Sequence, residues 1–96
     1  MPFTIETKKI LDAYVGRKNI SVSFIDSNKE TMLSVGELKR VYDNVIHLLV
    51  KENFRYNGFL ETHKRHHFIP LKGEHYQKIT NISDAHGVVL YVDRVF

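Results

Sequence analysis

Residues 34–52 read SVGELKRVYDNVIHLLVKE, and the folding of this stretch decides the architecture of the chain. Ser34-Val35-Gly36-Glu37 has the form of a capping box. In that motif a serine hydroxyl accepts the amide of the third helical residue while the glutamate reaches back. Beyond it, Leu38, Val41, Tyr42, Val45, Leu48 and Leu49 recur three and four apart and make one wide apolar stripe. Glu37, Arg40, Asp43, Asn44, His47 and Lys51 fall opposite. The spacing predicts a helix over about 35–52. At 1.5 Å per residue it would be roughly 27 Å long, enough for a sheet to pack along it.

Upstream, Thr4 is placed to cap a short helix over about 5–15, with Ile10, Leu11, Tyr14 and Val15 as its apolar stripe. Gly16 stands where a helix end wants a left-handed residue. Ile20, Val22 and Phe24 alternate with Asn19, Ser21 and Ser23, the pattern of a half-buried strand. Asp26-Ser27-Asn28-Lys29 is turn chemistry, and Glu30 to Leu33 reads as a short return strand.

Downstream, Asn57-Gly58 lies between aromatic positions, a hairpin signal. Pro70 confines the run Phe68-Ile69-Pro70-Leu71 to an edge or a strand end. His75 to Ile82 and Val88 to Val95 read as two strands of a hairpin, the second apolar on both parities and therefore central. The expectation is an α+β fold in a single small domain over residues 1–96. It has a mostly antiparallel sheet of four to five strands, packed on one long helix (about 35–52), with a short N-terminal helix.

Ninety-six residues allow one domain. With 43% hydrophobic residues and a net charge of +3, the chain is too apolar and too weakly charged for disorder. Without cysteine there is no disulfide, no thiolate metal site and no cysteine nucleophile. Phosphate-loop, dinucleotide-binding, nucleophile-elbow and zinc-protease motifs are missing too, so nothing implies a cofactor or an enzyme. The longest apolar run, Val45 to Val50, falls far short of a membrane span of ~20 residues. No apolar leader opens the chain, which sets the expectation of a cytoplasmic protein of prokaryotic or phage type.

The charge is not spread evenly. Residues 51–78 carry six lysines and arginines against three glutamates, which accounts for the entire +3. Within this window, Thr62-His63-Lys64-Arg65-His66-His67 concentrates cations and imidazoles. If the segment is extended, His63, Arg65 and His67 share one face, with Lys64 and His66 on the other; if it is helical, His63, His66 and His67 share a face. The candidate anion-binding residues are Arg55, His63, Lys64, Arg65, His66, His67 and Lys72. Clustered cations suit a phosphate backbone, and Tyr56, Phe59, Phe68 and Tyr76 could stack bases.

A solvated basic loop would have the same composition. A metal set of Glu61, His63 and His67 is opposed by the adjacent Lys64 and Arg65. Ribonuclease chemistry on His63, Arg65, His67 and Tyr76 rests on residue types alone. Arg40, Asn44, His47 and Lys51 would line one side of the long helix, in the manner of a recognition helix.

The functional expectation is therefore a non-enzymatic binding or regulatory protein that engages a nucleic-acid backbone. The alternative is a protein-interaction module, whose aromatic anchors and sheet edge could also support a homodimer. No membrane partner is expected. Four histidines in the window could charge as pH falls from about 7.5 to 6, which should strengthen anion binding.

Overall fold

In the computed structural model, residues 3–55, 60–61, 65–73, 77–84 and 89–91 are described. The N-terminal helix forms as the sequence requires. Helix α1 (Ile5–Tyr14) starts at Thr4, whose hydroxyl accepts the Thr7 amide at 3.1 Å. It buries Leu11 and Tyr14 and ends before Gly16, which adopts φ +93°. Both flanks are stitched to the sheet. The Phe3 amide donates to the Asp43 carbonyl at 2.7 Å, and Gly16 donates to Leu38 at 2.8 Å.

The long helix does not exist. Residues 35–52 lie in two antiparallel strands, β2 (Thr31–Val41) and β3 (Val45–Arg55), joined by a turn at residues 42–44. From Met32 to Leu38 of β2 the buried positions are Met32, Ser34, Gly36 and Leu38, and from Ile46 to Val50 of β3 they are Ile46, Leu48 and Val50. This is a period of two. Val35, Val41, Val45, Ile46 and Val50 add β-branched side chains that suit a pleated surface. The capping box is likewise not one. Ser34 is fully buried in β2, where its hydroxyl donates to the Asn53 side-chain oxygen at 2.5 Å.

Strand β1 (Ile20–Ile25) pairs with β2 across the turn at residues 26–30. There the Asp26 carboxylate accepts the amides of Asn28 and Glu30, each at 2.9 Å. Strand β4 (Leu60–Glu61) folds back on β3, pairing Leu60 with Phe54 and Glu61 with Asn53. The hairpin expected at Asn57-Gly58 lies outside the described residues. Strand β5 (Arg65–Pro70) takes the same edge of β3, from Val45 to Val50, and ends at Pro70.

Strand β6 (Lys78–Ser83) returns to the far side of β1, and β7 (Val89–Tyr91) pairs with β6. The sheet order is β4-β3-β2-β1-β6-β7, with β5 beside β3. β7 therefore ends the path rather than occupying its centre. Five strands have six residues or more, all pairings are antiparallel, and sheet dominates the domain.

The sheet curls until the chain after β5 meets β6. The Leu71 amide donates to Asn44 beside β3 at 2.8 Å, while its carbonyl accepts from Ile79 of β6 at 3.0 Å. Leu71 and the Lys72–Lys78 bridge thus link the continuation of β5 to the part of β6 that β7 does not cover, closing β3-β2-β1-β6 into a small barrel. Phe3, Leu11 and Tyr14 join the inward residues of the strands in a single core. Among the described residues no helix is long and apolar enough to cross a membrane.

Candidate nucleic-acid interface

The histidine-rich segment is a strand where it is described, so its side chains divide between two faces. Arg65 and His67 fall on the same parity as buried Ile69, and His66 falls with Phe68 on the other. Of the extended and helical arrangements open to the segment, these three residues take the extended one. His63 and Lys64 lie outside the described residues, as does Tyr76.

On the first face, Arg65 and His67 converge with Arg55 on a cleft of about 290 Å³. Phe24, Asp26, Asn53 and Gln77 also line it. The convergence follows from register. Arg55 ends β3 opposite Met32, Met32 pairs with Phe24, and β5 runs along β3's other edge. The His67 ring meets Phe24 edge-on, with centroids 5.5 Å apart and planes at 73°.

His67 Nδ1 is buried and, among the described residues, has no hydrogen-bond partner. Burial, and secondarily the charge on Arg65, hold the His67 pKa below its ordinary 6.5, so the ring is neutral near pH 7. A neutral imidazole carries one N–H and one acceptor nitrogen. Arg65 makes no ion pair among the described residues. Arg55 approaches Glu30 at 3.6 Å, with both side chains about half exposed, an arrangement worth little in water. The Asp26 carboxylate is turned to its own backbone.

Lys72 borders an adjoining hollow of about 560 Å³ that shares Ile25 and Gln77 with the cleft. Lys29 and Lys78 line it as well. One end of the barrel therefore gathers Lys29, Arg55, Arg65, Lys72 and Lys78 from separate segments of the chain, with Asp26 and Glu30 among them. Lys78 belonged to the basic window of the sequence. Lys29 had the signature of a turn residue and Phe24 that of a core residue, so neither carried a functional signal. Lys29 does occupy positive φ (+63°) in that turn.

His66 points away from this end. Its Nδ1 lies 2.7 Å from Nε2 of His47, and Phe68 stacks on His47 at 4.4 Å with planes 19° apart. The His47 pKa is lowered by burial, then by His66, Lys39 and Arg40. With no helix over 35–52, the recognition face of Arg40, Asn44, His47 and Lys51 dissolves. Lys51 donates to Asn19 at 2.6 Å, Asn44 sits in the turn, and Arg40 lies 5.8 Å from the Tyr42 ring.

The described residues hold no group of three or more histidine, cysteine, aspartate or glutamate side chains that could ligate a metal. The chain matches no protein family, no curated protein and no solved structure.

Proposed function

We propose that this is a non-enzymatic, cytoplasmic nucleic-acid-binding protein that seats a phosphate backbone across the basic end of its barrel. The observation that supports it most is the convergence of Arg55, Arg65, Lys72 and Lys78 on two adjoining hollows. Side chains brought together from β3, β5, the β5–β6 connection and β6 can follow a strand of phosphates. A solvated loop would scatter them. Such binding is driven by counterion release, with a log–log salt slope of about −0.7 per phosphate on single strands. Four contacts give a slope of about −3.

Anisotropy titrations of a labelled oligonucleotide at several salt concentrations test this. Arg65→Gln or Lys72→Gln should each make the slope shallower by roughly 0.7. Binding insensitive to salt, or none at low salt, rejects the proposal.

A protein partner is the second reading, favoured by Phe68, which is 54% exposed on the opposite face. Capture of a partner that survives nuclease treatment and is lost in Phe68→Ser would favour it.

A further inference from the structure

We infer that His47 and His66 form a two-imidazole site for a transition-metal ion, Cu²⁺ before Ni²⁺ or Zn²⁺, on the outer face of β3 and β5. The site lies away from the basic end of the barrel and does not depend on nucleic-acid binding.

The geometry comes from register. His47 pairs with Phe68 and Leu49 pairs with His66, so the two histidines are diagonal neighbours on adjacent antiparallel strands. His47 Nε2 and His66 Nδ1 face each other at 2.7 Å, with ring planes 47° apart. Metal–nitrogen bonds of about 2.0–2.1 Å that meet at a right angle set their nitrogens about 2.9 Å apart. Opening the pair by a few tenths of an ångström therefore admits an ion. Phe68 stacks on His47 and holds that ring. His66 is exposed and can turn about χ2, a torsion with a broad minimum.

Both facing nitrogens can be ligands. A neutral imidazole carries one N–H and one lone pair. With the hydrogens on His47 Nδ1 and His66 Nε2, the two lone pairs meet at the site and no proton has to leave. Burial, then His66, Lys39 and Arg40, hold the His47 pKa below its ordinary 6.5, which keeps this ring neutral at pH 7. Strand alternation sends Arg65, next to His66 in sequence, to the cleft instead.

The surroundings select the ion. Lys39 and Arg40 oppose any cation, although Lys39 is paired with Glu37 at 3.0 Å. Mg²⁺ and Ca²⁺ take oxygen ligands and gain nothing from imidazole. Imidazole suits copper, nickel and zinc, and affinity among the divalent ions peaks at Cu²⁺. The described residues supply two ligands and no third, so water completes the shell, which the tetragonal geometry of Cu²⁺ accommodates.

The test titrates Cu²⁺ into the unaltered protein at pH 7.5. Calorimetry reads the affinity, and the loss of amide signals beside the paramagnetic ion in nitrogen-15-labelled protein reads the place. Signals of residues 46–48 and 65–67 should be lost first, and Mg²⁺ should give no binding. His47→Gln and His66→Gln should each weaken Cu²⁺ binding at least tenfold, since loss of a mere supporting residue already costs a metal site roughly 10–100-fold. The double variant should lose little more than either single one, because one imidazole makes no chelate. Replacing His63, His75 and His86 together by glutamine should leave the site in place.

First losses centred on His75, His86 or the N-terminus overturn the assignment. So do Cu²⁺ affinity unchanged in His66→Gln, loss of binding in the triple variant, Mg²⁺ binding as tightly as Cu²⁺, and no Cu²⁺ binding at all. The amide map uses the unaltered protein, so it decides the question even if a variant misfolds.

Discussion

Replacing Gly36 by alanine separates a strand from a helix at the centre of this chain by the sign of its effect. In a helix capped by Ser34, Gly36 would lie in the first turn, where glycine to alanine gains at most the roughly 0.8–1.0 kcal/mol of a helix interior and costs nothing. In the barrel, Gly36 sits in β2 beside the irregularity at Val35/Gly36, facing Val50 of β3. A Cβ there would overlap the Leu49 carbonyl oxygen and lie 2.8 Å from the Leu49 carbonyl carbon and 2.9 Å from Val50 Cα. Carbon atoms pack comfortably at about 3.5–4.0 Å. All three neighbours are main chain, so no rotamer change relieves the overlap. β3 is also held on both sides, by β2 and by β5. Overpacking of this kind costs roughly 1–3 kcal/mol, and more if the ladder parts. At about 4–8 °C per kcal/mol for a domain of this size, Tm should fall by roughly 10 °C. Urea unfolding followed by circular dichroism reads the midpoint, with an unchanged m-value confirming that the transition is the same. A Gly36→Ala variant as stable as the parent, or more so, would refute the β2–β3 pairing.

Other expectations follow from the same geometry. Ser34→Ala leaves the buried Asn53 oxygen without its donor and should cost about 1–3 kcal/mol. A double-mutant cycle with Asn53→Ala should show coupling, where a helix cap would show none. Both His47 and His67 have pKa values depressed below 6.5. The unfolded chain therefore binds protons first as pH falls, and stability should hold above about pH 7 and decline below about 6.5. A flat Tm between pH 7.5 and 5 would contradict this, and His47→Gln should reduce the decline. The same depression amends the expected pH response of anion binding, because His67 gains charge only at a pH below its ordinary 6.5. Glu30→Gln removes a carboxylate 3.6 Å from Arg55. It should change stability by less than about 1 kcal/mol while tightening oligonucleotide binding at low salt, measured by the same anisotropy titration.

The false helix has a physical origin in the irregularities of the sheet. A regular strand repeats every two residues, but an extra residue in one strand of a pair shifts its parity. In β2 the pairing jumps between Leu38 and Arg40, so the next buried residue after Leu38 is Val41. In β3 the pairing passes from Val50 to Glu52, and burial resumes at Asn53. In β6 the shift opposite Ser23/Phe24 separates buried Ile79 and Ile82 by three. Each shift introduces a spacing of three into a period of two, and the turn at residues 42–44 resets the count again. Val45 and Leu49, which completed the apparent stripe, are half-buried on the opposite face, and Tyr42 is exposed. Where no such shift interrupts the pattern, the sequence was legible. β1 kept its alternation, α1 its cap, and the Asp26 turn its carboxylate–amide bonds.

The candidate site was half legible for a related reason. Composition could find Arg55, Arg65, His67 and Lys72 because they fall in one basic window, but only strand geometry decides which of them act together. The alternation of β5 sends His67 to the cleft and His66 to a stack with His47 and Phe68. Adjacent histidines of the same type therefore sit in different chemistry. Closure of the barrel does the converse. By holding β5 to β3 and Leu71 to Ile79, it brings Lys29 and Phe24, more than twenty residues before Arg55, to the same end as Lys78. A loop of the same composition would bind any polyanion through its charge alone. In the folded chain, strands set Arg55 and Arg65 around one cleft, and that arrangement depends on the fold rather than on the count of cations.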